Sequence, residues 1–185
     1  MELTVDMLES KERMKELNPL ETLKELGFGE GMTFCDIGAG SGTFSFPAAE
    51  LSKNDIYSLE LDDDLIEFIN HRKAEKYYNH IYVRKVKSKA LPISDDSCDL
   101  VMMAEVLHEI EDKMTMYEEI KRGLKKNGKL VIIEYLIDAE GDWPPKEYRV
   151  NPNDVKEMTK SLGFELEVER KLGDHYYLLS LRLVR

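Results

Sequence analysis

The chain has 185 residues, 34% of them charged and 42% hydrophobic, the size and balance of one folded domain and too short for two of full size. A formal net charge of -11 and a pI near 4.9 repel phosphate backbones at long range, so no nucleic-acid partner is expected. No apolar run approaches the length of about 18 residues that a membrane helix requires, and the acidic start, MELTVDMLESKERMKEL, lacks the basic and apolar regions of a signal peptide, so the expected location is cytoplasmic.

In chain order, the residues before Gly27 read as one or two helices. Beyond them, segments of period near 2 alternate with segments of period near 3.6, the signature of α/β architecture. Strands are predicted over 33–37, 56–61, 81–86, 99–103, 130–135, 164–169 and 176–184, with helices over 43–52, 62–78, 113–126 and 155–162 between them. Met116, Ile120 and Leu124 recur at i, i+4 and i+8, one apolar stripe suited to covering a sheet face. Gly27, Gly128 and Gly163 each follow a helical stretch where a left-handed terminating residue is wanted, and Asn151-Pro152 opens the last helix. The one long irregular connection, 138–151, carries Trp143, Pro144, Pro145 and Tyr148, residues able to wall a site. The last two strands are joined by only KLGDH and read as an antiparallel hairpin. Cys35 and Cys98 lie in strand-like runs without zinc-site spacing and read as buried, reduced thiols.

The first strand ends at a turn containing Gly38, Gly40 and Gly42, where an open parallel sheet binds its ligands. A nicotinamide fingerprint needs its third glycine at 43, which is Thr43. Asp36, two residues before the first glycine, is a poor neighbour for a pyrophosphate and suits a ligand with a cationic group. Glu60 ends the second strand, placed to accept hydrogen bonds from a ribose diol.

Four segments then carry a resemblance. FCDIGAGSGTFSFPAAEL, YSLELDDDLIEFI, ALPISDDSCDLVMMAEVLHEI and EEIKRGLKKNGKLVIIEY, taken in order over residues 15–137, resemble the motifs of class I S-adenosylmethionine-dependent methyltransferases, and among them the small single-domain enzymes that include the quinone-biosynthesis C-methyltransferases. The resemblance implies a Rossmann-like three-layer sandwich with a mostly parallel seven-stranded sheet and an antiparallel C-terminal hairpin. It implies a single domain over 1–185, in which residues 1–27 cover the cofactor site and 138–151 lie near the substrate. The implied cofactor is S-adenosylmethionine. Asp36, Gly38, Ala39 and Gly40 would surround its methionine part, with Ser41 at the mouth of the turn and Gly42 allowing close helix packing. Glu60 would bind the ribose and Leu61 lie against the adenine. Family members often carry an aspartate near position 87 for the adenine amino group; Lys87 and Ser88 stand there instead, leaving the backbone from Val86 to Ser88 for that contact. Ala104 and Glu105 would sit beside the sulfonium.

Methyl transfer from a sulfonium is an in-line displacement on an activated carbon, so positioning supplies much of the catalysis and no metal is required. A base is needed only if the nucleophile must lose a proton. His108, just past the fourth strand, is read as that base or a substrate contact, with Glu105 the second candidate; a packing imidazole is the alternative. His175, Tyr176 and Tyr177 are placed to overhang the pocket, whereas His71 and His80 read as surface histidines. Ala104-Glu105-Val106-Leu107 occupies the place of the Asn/Asp-Pro-Pro-Tyr/Phe signature of amino-group methylation on adenine or glutamine, and two cysteines are too few for arsenic methylation, which leaves a small molecule as acceptor. The other readings are a non-catalytic cofactor-binding module serving a partner protein and, disfavoured by Thr43 and the hairpin, a nicotinamide oxidoreductase.

Overall fold

In the computed structural model, which describes residues 4–141 and 143–184, the seven predicted strands form one sheet. They are β1 (Phe34–Ile37), β2 (Ile56–Glu60), β3 (Ile81–Lys85), β4 (Cys98–Ala104), β5 (Leu124–Tyr135), β6 (Phe164–Leu172) and β7 (Tyr176–Leu183), in the order β3-β2-β1-β4-β5-β7-β6. The first five are parallel, and β7 runs antiparallel to both β5 and β6. All four residues of β1 are buried, as befits a strand covered on both faces. Successive side chains point to opposite faces. Phe34, Leu100, Met102 and Val131 therefore join one core cluster, while Cys35, Val101, Met103 and Ile132 join the other.

Among the described residues there are seven α-helices: α1 (Val5–Leu8), α2 (Lys11–Leu17), α3 (Pro19–Glu25), α4 (Ser45–Leu51), α5 (Asp63–Glu75), α6 (Lys113–Gly123) and α7 (Pro152–Ser161). Leu23, Ala48 and Ile69 of α3, α4 and α5 pack on the first face, and Tyr117, Ile120 and Val155 of α6 and α7 on the second. Asp62 starts α5 by accepting hydrogen bonds from Asp64 N at 2.8 Å and Leu65 N at 3.1 Å, and Asn151 starts α7 by accepting one from Asn153 N at 2.9 Å. Gly27 and Gly163 take the left-handed conformation expected of them, with φ of 80° and 90°.

Two expectations are corrected. The fifth strand begins at Leu124 rather than 130, because α6 stops at Gly123, where an added Cβ would lie 2.4 Å from Ile93 Cδ1. Pairing with β4 then jumps from Cys98–Leu124 to Leu100–Lys129, so residues 125–128 bulge out of register. Within the bulge Asn127, not Gly128, is left-handed, with φ of 62°. Gly128 is required by crowding, since its Cβ would meet the Lys125 carbonyl oxygen at 2.9 Å. At the other end of the chain, three short helices replace the expected one or two, and the break between α2 and α3 falls at Asn18, left-handed at φ 38°. Leu17, Leu23 and Leu26 bury the later part of this segment, whereas none of residues 4–16 is buried. That stretch is held by two ion pairs, Glu9 with Arg72 and Arg13 with Glu105, and by a hydrogen-bond contact between Glu16 and His175 Nδ1. Among the described residues no helix is long and apolar enough to cross a membrane.

Candidate active site

The strand order reverses between β1 and β4, and the crevice outside the carboxyl ends of such strands is where open α/β sheets bind ligands. A cavity of about 380 Å³ opens there, within the range of small-molecule sites. At one end lies the glycine turn. The amides of Gly38 and Ala39 donate to the Leu59 carbonyl at 2.8 and 3.0 Å, so the turn is hung on the end of β2. Gly38 and Gly40 have φ of 68° and 56°, a region that costs a residue with a Cβ. A Cβ on Gly38 would also come within 2.4 Å of Val106 Cγ2, while Gly42 lets Phe46 pack where a Cβ would approach its ring to 2.5 Å.

Glu60 reaches across from β2. One carboxylate oxygen accepts from Gly40 N at 2.7 Å and the other from Leu61 N at 2.7 Å and Asp62 N at 3.2 Å. This single side chain thus fixes both loops that border the cavity. Asp36 lies beneath the turn, buried, accepting from Ser45 Oγ at 2.7 Å, and Ser58 donates in turn to Ser45 at 2.7 Å. Burial pushes the Asp36 carboxyl up to about 7; the Ser45 hydrogen bonds and the Arg13 charge oppose that shift and the Glu60 charge adds to it. A buried carboxylate with so little compensation favours a cation arriving beside it.

The other end of the cavity is built from residues distant in sequence. Glu105, left-handed at φ 60°, directly follows β4. Its Oε1 receives Nε and Nη2 of Arg13, each at 2.8 Å, and its Oε2 receives the Tyr135 hydroxyl at 2.7 Å. Arg13 Nη1 also donates to the Leu8 carbonyl and, at 3.2 Å, to Thr43 Oγ1. Beside this cluster, His108 Nδ1 lies 3.0 Å from both carboxylate oxygens of Glu134, a fully buried residue of β5 that also accepts the His108 backbone N–H at 3.1 Å. The carboxylate assigns the proton to Nδ1. Nε2 is buried and makes no hydrogen bond among the described residues, in a side chain only 5% exposed, with the Glu109 carboxylate 4.0 Å away. Burial lowers the proton affinity of the ring, but the hydrogen bond and charge of Glu134 outweigh it, so the imidazole titrates above its ordinary range.

The fold brings Asp36, Gly38, Ala39, Gly40, Glu60, Leu61, Val86, Ala104, Glu105 and His108 to the wall of this one cavity. Three residues read from the sequence are not on it. Ser41 is fully buried behind the turn, 3.4 Å from the Thr43 hydroxyl. Lys87 and Ser88 point to solvent, because the chain leaves the sheet after Val86, whose amide makes the last bond, to the Glu60 carbonyl at 3.0 Å. Trp143 lines the cavity; Pro144, Pro145 and Tyr148 do not. Nor do the three residues expected to overhang it: Tyr176 backs Tyr135 with ring centroids 4.9 Å apart, Tyr177 donates to the Val150 carbonyl, and His175 pairs with Glu16 at 2.8 Å. Sequence reasoning missed Arg13 and Glu134. Arg13 sits in a charged helix with nothing to single it out, but Glu134, an acid inside the apolar run LVIIEY, breaks the pattern of a buried strand and was a usable signal.

A family model described as a methyltransferase domain matches residues 28–174, most of the chain. The chain belongs to this methyltransferase domain family. Among curated relatives, it is 26% identical over 116 residues to the demethylmenaquinone methyltransferase of Oceanobacillus iheyensis, covering 62% of this chain and 49% of that protein. It is 27% identical over 116 residues to the enzyme of the same name from Lactococcus lactis, covering 62% and 46%. The chain therefore matches about half the length of these relatives. Among solved structures, a SAM-dependent methyltransferase from Aquifex aeolicus superposes with a TM-score of 0.87 at 22% identity, covering 96% of this chain and 95% of that one. The [4+2]-cyclase SpnF superposes at 0.78 with 17% identity, covering 89% and 79%. These likenesses establish the Rossmann-like architecture, and the cyclase shows that the architecture alone does not fix the reaction.

The cofactor implied by the family is S-adenosylmethionine, and the residues present fit it. Gly38 and Gly40 bring left-handed backbone to the cavity wall where a Cβ would crowd Val106 and Leu8, Asp36 is a buried acid suited to a cationic group, and the Glu60 carboxylate on the same wall is an acceptor suited to hydroxyls.

Proposed function

We propose that the protein transfers the methyl group of S-adenosylmethionine to a small-molecule acceptor, with His108 as the base. The observation that carries the reading is the His108 imidazole, held through Nδ1 by Glu134, on the wall of the same cavity as the glycine turn. When bound, the cofactor supplies a methyl carbon already activated by a sulfonium. The chain's own residues do the rest. Gly38, Ala39, Gly40 and Asp36 hold the cationic end, Glu60 the ribose, and Leu61 and Val86 the adenine side. Glu134 accepts a hydrogen bond from Nδ1–H and so keeps the lone pair on Nε2, which takes a proton from the acceptor. Glu105 is held by Arg13 and Tyr135 at the border between the two ends of the cavity and orients the acceptor. Residues 4–16 close the cleft, with Leu8 and Arg13 on the cavity wall and the Leu8 side chain over Gly40.

The test has two stages. Calorimetric titration with S-adenosylmethionine and S-adenosylhomocysteine should give binding, with NAD as the negative control. Incubation with S-adenosylmethionine and a metabolite panel should then release S-adenosylhomocysteine for at least one acceptor. Binding without turnover on any acceptor would favour a non-catalytic module, and no binding would overturn the reading altogether.

A further inference from the structure

Arg149 is a buried cation, 6% exposed, with no carboxylate partner among the described residues. Its guanidinium is satisfied by main-chain carbonyls alone. Nε donates to Pro144 at 3.0 Å, Nη2 to Gly141 at 2.8 Å, and Nη1 to Ala139, Ile137 and Leu136 at 2.7, 3.1 and 3.3 Å. Removing a guanidinium from water is costly, and neutral carbonyls repay it less fully than a carboxylate does. What this arrangement achieves is shape. Five carbonyls of one loop converge on one planar donor, and two of them, Gly141 and Pro144, flank Trp143. Among the described residues of the 138–151 connection, Trp143 alone is on the cavity wall, which it shares with His108, Tyr135 and Met116.

We propose that Arg149 is a positioning residue: by gripping the backbone on both sides of Trp143 it fixes the indole as the wall of the acceptor end of the cleft, and so sets which acceptors fit. The inference rests on the methyl-transfer reading above. Arg149 touches neither cofactor nor acceptor and acts through Trp143. A lysine in its place keeps the charge but lacks the planar fork that reaches both flanks.

Trp143 is the only tryptophan of the chain, so its fluorescence reports on the wall directly. In the full-length wild-type protein, time-resolved anisotropy of Trp143 should show no large nanosecond component of local motion, and a freely reorienting indole overturns the proposal whatever the variants do. In Arg149→Lys the acrylamide quenching constant should rise by about twofold or more as the loop opens locally. Affinity for S-adenosylhomocysteine should stay within about twofold of wild type, because the cofactor cradle is built from other elements. Tyr177→Phe is the control: it removes the 2.9 Å bond from the Tyr177 hydroxyl to the Val150 carbonyl, a second anchor of the same loop that does not flank Trp143. It should lower the melting temperature without changing the quenching. With the acceptor returned by the metabolite panel, Arg149→Lys and Trp143→Ala should both lower kcat/KM for the acceptor by about tenfold to a hundredfold, leaving the KM for the cofactor unmoved. Wild-type quenching in Arg149→Lys, or an equal rise in Tyr177→Phe, would reduce Arg149 to a purely structural group and overturn the proposal. Loss of S-adenosylhomocysteine binding by the wild-type protein would instead strike at the methyl-transfer reading.

Discussion

The two ends of the cleft are made in different ways. At the cofactor end the decisive groups are backbone amides and glycine Cα atoms of one turn, fastened by a carboxylate 20 residues away in sequence. At the acceptor end they are side chains paired over longer spans: 26 residues from His108 to Glu134 and 92 from Arg13 to Glu105. The first can be disrupted by adding a single atom to a backbone, the second only by removing a side chain. Substitutions at the two ends should therefore separate binding from turnover.

The largest effect is expected at Gly40. A valine there must adopt φ near 56° and place its Cβ 3.2 Å from Leu8 Cδ1, with its branches in the cavity. Calorimetry on folded Gly40→Val should detect no binding of S-adenosylhomocysteine, and undiminished affinity would show that the turn is not the cradle. His108→Ala is the opposite case: cofactor affinity unchanged and turnover lower by about 10²-fold or more, the usual contribution of a positioned base. Its residual rate should recover partly as pH rises, because solvent then deprotonates the acceptor. Normal turnover in folded His108→Ala would remove the imidazole from the mechanism.

The pH dependence sharpens the contrast. His108 titrates above the ordinary imidazole range, so the protonated pair with Glu134 stabilises the fold at low pH, and that contribution is lost as pH rises through the raised value. Turnover has the opposite sign, since the base works only when neutral and the rate should climb through the same value. Glu134→Gln should move this inflection in a pH–rate profile downward, and an unmoved inflection would assign it to another group.

Glu60→Ala is expected to have an intermediate effect. On the proposed reading it removes the ribose acceptor, and it releases the three amides that the carboxylate now holds, so cofactor binding should weaken by roughly 1.5 to 3 kcal/mol for each charge-assisted bond lost. Glu60→Gln should lose less, and wild-type affinity in both variants would move the ribose partner elsewhere. The smallest effect belongs to Lys87→Ala and Ser88→Ala, exposed side chains off the cavity wall, which should change affinity by no more than about 0.5 kcal/mol. A larger loss in a calorimetric titration would return them to the site.

The same contrast explains what could be read in advance. The strands, the hairpin and the glycine turn follow from periodicity and from residue types whose meaning is local: a glycine where a Cβ is forbidden, an acid at the end of a strand. His108 and Glu105 were visible because they follow a buried strand directly. Arg13 and Arg149 were not, because an arginine in a charged helix or in a loop acquires its role only from partners that the fold delivers, whereas Glu134 was marked by its place in an apolar run and passed over. The start of β5 at Leu124 was missed for a related reason. Lys125 to Gly128 carry the composition of a helix end, and only the bulge against Cys98 makes them part of a strand.

The position of β7 has a consequence for how the chain is assembled. It lies between β5 and β6, yet it follows both in sequence. During synthesis β6 therefore emerges before its only neighbour exists, while β5 presents an open edge beside β4. Both edges are closed by β7, which pairs with β6 on one side and with residues 129–135 of β5 on the other. A chain truncated before Tyr176 would keep the whole cofactor cradle but carry two unpaired strand edges, the kind of surface that recruits other copies into aggregates.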